Sequence, residues 1–178
     1  MPAPLPPLAE EDHVCDVCGI AFAETRIDDA LGVIAGIPDA ARDAAHAIPA
    51  EARRVRPGPG VWSVNEYVCH LRDVYVSFTI RLYRVRTEDQ PAFEPMYNDL
   101  RARRFQYNEC DIEATLDELA RAAAGFRDEI ARVRDDGWDR VGSRLPGEIR
   151  TARWLVRQAM HEGVHHLGDI RGIGEIAR

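Results

Sequence analysis

Apolar residues recur at three- and four-residue steps along several long stretches of this chain, and no stretch of any length alternates. One stripe is Ile112, Leu116, Leu119, Ala123, Phe126, Ile130 and Val133; another is Tyr67, Leu71, Val74, Phe78 and Leu82. A period near 3.6 puts each set on one face of a helix, whereas a half-buried strand needs a period of two. The chain must therefore bury helical faces against one another, and a sheet is not expected.

Breakers and caps between the stripes set the number of helices. Ile27, Leu31 and Ile34 suggest a short helix stopped near Gly36, with Pro38 opening a second and Pro49 ending it. Arg56-Pro-Gly-Pro-Gly60 is a clear break. Ser63-Val-Asn-Glu66 reads as a capping box, in which Ser63 caps free amides and Glu66 reaches back, and its helix should run to about Thr87. A loop over 89–95 and a shorter helix over Asp99 to Gln106 follow. Asp111 caps the next long helix, which ends by Gly137. Residues 142–150 form a polar connection with a turn at Gly147-Glu148, and Thr151 caps a last helix that stops near Gly172. Four main helices with such stripes predict an all-α four-helix bundle over residues 27–178, behind a leader of residues 1–26.

The formal net charge of −7 disfavours a nucleic-acid partner, because a phosphate backbone would be repelled on average and the arginines are interleaved with Asp and Glu. No apolar run is long enough to cross a bilayer, and Met1-Pro-Ala-Pro-Leu-Pro-Pro lacks the order of a secretory signal, so a cytoplasmic location is expected. Lysine is absent, which excludes a Schiff-base lysine.

The chemistry concentrates on the last helix. His161 and His165 are four residues apart, so both imidazoles leave the same face ~6 Å apart along the axis. That spacing lets two nitrogens converge on one ion. His70 lies beside the stripe of the helix that Ser63 caps. Were all three to meet, three nitrogens with open positions would make a catalytic rather than a structural zinc site. Asp73 and Asp169 follow His70 and His165 by one turn and could orient a ligand imidazole. His166 is turned about 100° from His165, which makes it a packing or surface group on this reading; Glu162, turned as far from His161, is not placed as a general base but could support the ligands from outside, as Asp73 and Asp169 could. His13 and His46 read as surface residues.

His161-Glu-Gly-Val-His165 also matches the H-E-x-x-H pattern of zinc proteases, and Gly168 sits where the longer form of that pattern has its glycine. Arg171 then stands where that form needs a third histidine, and Glu175 is too near to return from another helix. A metallohydrolase of that type is therefore the weaker reading. In the leader, Cys15-x-x-Cys18-Gly19 is half of a zinc knuckle whose other half is missing, a redox pair, or equally a pair of simple reduced thiols. His13, Asp16 or a second subunit could complete a metal site there. Cys69, next to His70, reads as a buried small residue, and Arg101-Ala-Arg-Arg104 as a solvated charged face rather than a grip for a carboxylate or a thiol cofactor's polar groups.

Taken in order, Gly60-Val-Trp-Ser63, Glu66-Tyr-Val-Cys-His-Leu-Arg-Asp73 and His161-Glu-Gly-Val-His-His-Leu-Gly-Asp-Ile170 resemble the DinB-like superfamily of four-helix metal-binding proteins. That superfamily includes the mycothiol and bacillithiol S-transferases, and the Cys-x-x-Cys-Gly leader resembles an actinobacterial branch. The resemblance implies a metal, zinc or nickel, held by His70, His161 and His165, with His166 as a competing ligand one residue along. It further implies that the metal binds the sulfur of a low-molecular-weight thiol such as mycothiol and presents the thiolate to a small electrophile. Two readings follow: a metal-dependent thiol S-transferase, or a non-enzymatic bundle that stores or senses metal, either of them able to work as a homodimer. An open site with a pocket favours the first; a fourth protein ligand closing the shell favours the second.

Overall fold

A computed structural model describes residues 5–176; the first four residues of the expected leader and the last two of the expected bundle lie outside them. Four long helices make the body: α1 (Ile27–His46), α2 (Val64–Thr87), α4 (Ile112–Ile130) and α5 (Ala152–Ile176), with the short α3 (Asn98–Arg104) between α2 and α4. Each long helix packs against two others: α2 on α4 and α5, α1 on α5 and α4. Consecutive α1 and α2 therefore lie across the diagonal of the bundle, and so do α4 and α5. No described helix is long and apolar enough to cross a membrane.

The caps form as their residues dictate. Ser63 Oγ accepts from the Glu66 amide at 3.2 Å while the Glu66 carboxylate accepts from the Ser63 amide at 2.9 Å. Asp111 Oδ1 accepts from the Ala114 amide at 2.9 Å, and Thr151 Oγ1 from that of Trp154 at 3.1 Å. Glu66 is buried and also takes a two-pronged ion pair from Arg56 at 2.8 and 2.5 Å. The core joins Ile34, Leu71, Leu82, Leu116, Phe126 and Trp154 with their neighbours on all four long helices.

Three expectations are corrected. The two short helices expected around Gly36 and Pro38 are one helix, with Pro38 inside it. Ala30, Ile34, Ile37, Ala41 and Ala45 form one continuous buried stripe, whose burial outweighs the ~3 kcal/mol cost of an interior proline. The polar connection carries a two-stranded antiparallel hairpin, β1 (Val141–Ser143) and β2 (Ile149–Thr151), turned at Gly147 with φ +86°. Strands of three residues are too short to show a period. Finally, α5 runs past Gly172 to Ile176, because Ile173 packs into the core and holds the last turn.

The leader folds back onto the hairpin and α5. Arg150 donates to the carbonyls of Ala9 and Leu8, the Glu11 carboxylate accepts from the amide and hydroxyl of Thr151, and Phe22 is fully buried.

Candidate metal centre

The sequence His161-Glu-Gly-Val-His-His166 contains two overlapping pairs at four-residue spacing, and α5 aims them in different directions. Glu162 and His166 face α2; His161 and His165 face the leader. The three histidines expected to converge therefore divide: His70 meets Glu162 and His166, while His161 and His165 meet Cys15 and Cys18. One residue along a helix is a rotation of about 100°, so the identity of the facing element decides which pair meets His70.

In the cluster between α2 and α5, Glu162 Oε2 lies 3.3 Å from His70 Nε2 and 3.1 Å from His166 Nε2. His166 Nδ1 bonds Asp169 Oδ2 at 2.8 Å, and Gln158 Nε2 donates to Glu162 Oε1 at 2.7 Å. Burial opposes charge on His166, yet the Asp169 and Glu162 carboxylates outweigh it and raise its pKa to about 9. The two imidazoles hold Glu162 ionised well below the usual carboxylate range against its own desolvation. The two carboxylates that flank His166 give the cluster the negative balance that a cation needs. Asp169 thus supports His166, and its distance to His165 is 4.0 Å. Asp73 does not orient a histidine: its carboxylate takes Arg72, Arg101 and the Tyr107 hydroxyl at 2.5–3.0 Å. Arg101 therefore grips a carboxylate of its own chain.

The residues present fit a divalent ion. Two imidazole Nε2 atoms and one carboxylate oxygen lie within 4.8 Å of one another, and Asp169 and Gln158 fix the outer atoms of two of the three groups. Two histidines with a glutamate is a donor set known for catalytic zinc. The cluster opens into a cleft of about 1240 Å³, with Trp62, Phe78 and Trp154 among its apolar walls and Arg81 and Arg144 on its polar side. Arg81 is buried and donates to the Glu94 carbonyl at 2.6 Å. Its burial and then the neighbouring Arg144 lower its pKa to about 10, and it has no carboxylate in ion-pair contact among the described residues.

The second cluster joins Cys15, Cys18, His161 and His165, whose donor atoms also lie within 4.8 Å of one another. Cys15 Sγ is 3.6 Å from His165 Nδ1. Burial raises the Cys15 thiol, but the backbone amides of Cys18 and Val17, with His165, more than offset that and bring it to about 6. Both ring nitrogens of His161 are buried with no hydrogen-bond partner, and burial lowers its pKa. His13, expected on the surface, packs edge-on against Phe22 and His161 at 5.3 and 5.8 Å between ring centroids. His46 is paired with Glu113 at 2.7 Å on the exposed side. Cys69 is buried as expected, and that burial, with Cys110 beside it, pushes its thiol up to about 12.

A four-helix bundle with consecutive helices on the diagonal and a histidine–carboxylate cluster between its second and last long helices defines a class of metal-competent helical protein. The sequence profile of the DinB superfamily matches residues 34–170, and the chain belongs to that superfamily. In fold it is similar to YfiT from Bacillus subtilis, described as "a probable metal-dependent hydrolase with an unusual four-helix bundle topology". The TM-score is 0.77 at 19% identity, over 86% of this chain and 88% of that one. It is also similar to the mycothiol-dependent maleylpyruvate isomerase, with a TM-score of 0.68 at 12% identity, over 85% of this chain and 63% of the isomerase. No curated protein matches the chain by sequence.

Proposed function

We propose that this chain is a metal-dependent enzyme acting on small molecules, and specifically a thiol S-transferase of the mycothiol-using kind, with zinc or nickel held by His70, Glu162 and His166. The observation that carries the reading is the open donor cluster at the wall of a cleft of about 1240 Å³. Pockets for one small ligand run to ~1,000 Å³, so this one has room for a thiol cofactor and an electrophile together.

A divalent ion in such a site lowers the pKa of a thiol or water that it binds. The protein's own part is positional. Asp169 holds His166 Nδ1–H, which turns Nε2 toward the cluster, and Gln158 fixes Glu162 so that its other oxygen faces both imidazoles. Arg81, a buried cation not neutralised by a carboxylate, supports an anionic group on one of the reactants. The likeness to the mycothiol-dependent isomerase supports the choice of thiol. A second reading, a metal-dependent hydrolase, is favoured by Glu162 itself, since two histidines and a glutamate are also the ligands of water-activating zinc enzymes.

Purified protein loaded with zinc or nickel, incubated with mycothiol and a model electrophile, should give a conjugate detectable by mass spectrometry. His70→Ala and His166→Ala should lose it by at least ~100-fold, the scale on which metal activation of a nucleophile acts. Conjugation no faster than in metal-free protein would reject the transferase, and metal-dependent cleavage of an ester without thiol would select the hydrolase.

A further inference from the structure

The cleft cluster uses only one of the two histidine pairs on α5. The other pair is not spare. We propose that Cys15, Cys18, His161 and His165 form a second, structural zinc site that fastens the leader to α5.

The spacing Cys-x-x-Cys followed by His-x-x-x-His is that of closed tetrahedral zinc sites with two sulfurs and two nitrogens. The leader makes the first half as a tight knuckle. The Gly19 amide donates to the Cys15 carbonyl at 2.8 Å, the Cys15 amide to the Ile20 carbonyl at 3.0 Å, and Val14 bridges Ala21 across the loop. Gly19 has φ +72°, a conformation that glycine adopts without a Cβ penalty. This turn puts both sulfurs on the side facing α5. The second half is rigid, because His161 and His165 stand one turn apart on a long helix, their ring centroids 5.3 Å apart. The four donor atoms share one volume.

An independent observation points into the same volume. His161 is the only histidine among the described residues with both ring nitrogens buried and without a hydrogen-bond partner. Such a group needs a Lewis acid or a water. The donor set selects zinc over magnesium or calcium, which take oxygen. On binding, each cysteine gives up its proton to solvent, and the two thiolates neutralise the dication, so the site adds no net charge where it is partly buried. Four protein ligands leave no open position, which makes this site structural and sets it apart from the three-ligand cleft.

The placement has a consequence for the cleft. Leu8 and Ala9 of the same leader line it, so a zinc clamp at Cys15 and Cys18 would hold part of its wall.

Cobalt(II) loaded onto the full-length protein tests this directly. Sulfur-to-cobalt charge transfer reports only the leader site, because the cleft cluster contains no sulfur. Wild-type protein should bind two equivalents and show that band together with intense tetrahedral ligand-field absorption. The double variant Cys15→Ser/Cys18→Ser should lose the band and one equivalent, whereas His166→Ala should keep the band and lose the other. No charge-transfer band in the wild type would overturn the proposal, without recourse to any variant. A band that survives in Cys15→Ser/Cys18→Ser, or a Cys15–Cys18 disulfide in metal-loaded protein, would overturn it too. If the cleft reading failed instead, His166→Ala would retain all its metal while the band stayed sensitive to Cys15→Ser/Cys18→Ser.

Discussion

Asp73 shows how far one buried carboxylate reaches. It joins α2 to Arg101 of α3 and to Tyr107 beyond it, while Arg72, from its own helix, bonds its other oxygen. Residues of α3 form one wall of the cleft, so Asp73 holds that wall in place. Burial alone would raise its pKa, but the Tyr107 hydroxyl and the two guanidinium groups lower it below the ordinary carboxylate value. A depressed folded-state pKa means that this stabilisation is fully present above the unfolded value of about 3.9 and is lost as pH falls through the folded one. Asp73→Ala should therefore cost ~2 kcal/mol at neutral pH, less than a fully buried pair because Arg72 and Arg101 are partly exposed. Melting curves of wild type and variant should converge on acidification below about pH 4. A gap that stays constant down to pH 2 would show that Asp73 acts through packing alone.

At the scale of elements, α5 explains what the sequence can and cannot reveal. Its existence, its Thr151 cap and its metal-ligand spacing are local properties and could be read directly. Which of two pairs meets His70 is not local: His161/His165 and Glu162/His166 have the same spacing, and only the packing of α5 between α1, α2 and the leader separates them. The partnership of Cys15 with His165 spans 150 residues and leaves no periodic trace. Pro38 misled for a similar reason, since a local breaker was overridden by a buried stripe. The same packing makes two glycines of α5 respond oppositely to one change. A Cβ on Gly163 would sit 2.6 Å from the Tyr75 hydroxyl and 2.9 Å from Ile37 Cγ1, whereas one on Gly172 would meet nothing within 4 Å. Gly163→Ala should destabilise by ~1–3 kcal/mol through overpacking, even after the gain in helix propensity. Gly172→Ala should stabilise by up to ~1 kcal/mol. Urea denaturation of the two variants checks the pair, and equal signs would contradict the close approach of α5 to α1 and α2.

For the molecule as a whole, the leader, the hairpin and the cleft form one mechanical unit outside the four-helix core. The hairpin supplies the dock. Arg150 is buried and donates to the Ala9 carbonyl at 2.6 Å and the Leu8 carbonyl at 3.0 Å, and it also pairs with Glu10 at 3.0 Å. Glu148 accepts from the Leu8 amide at 3.0 Å, and its ion pair with Arg144 keeps that carboxylate ionised. These bonds lie between the knuckle at Cys15–Cys18 and the chain's start, so they and the knuckle hold the leader at separate points. Arg150→Ala removes three of them at once and leaves two buried-side carbonyls to find water. The local cost should be ~1–3 kcal/mol, concentrated in residues 5–11 rather than in the helices. Limited proteolysis should then cut the variant's leader ahead of His13 well before the bundle, and faster than in wild type. Its global melting temperature should fall by only a few degrees, on the order expected for ~1 kcal/mol in a domain of this size. Equal cleavage of the two proteins would mean that the knuckle and Phe22 suffice to hold the leader, and that the hairpin's ladder to Leu8 and Ala9 adds nothing to the wall of the cleft.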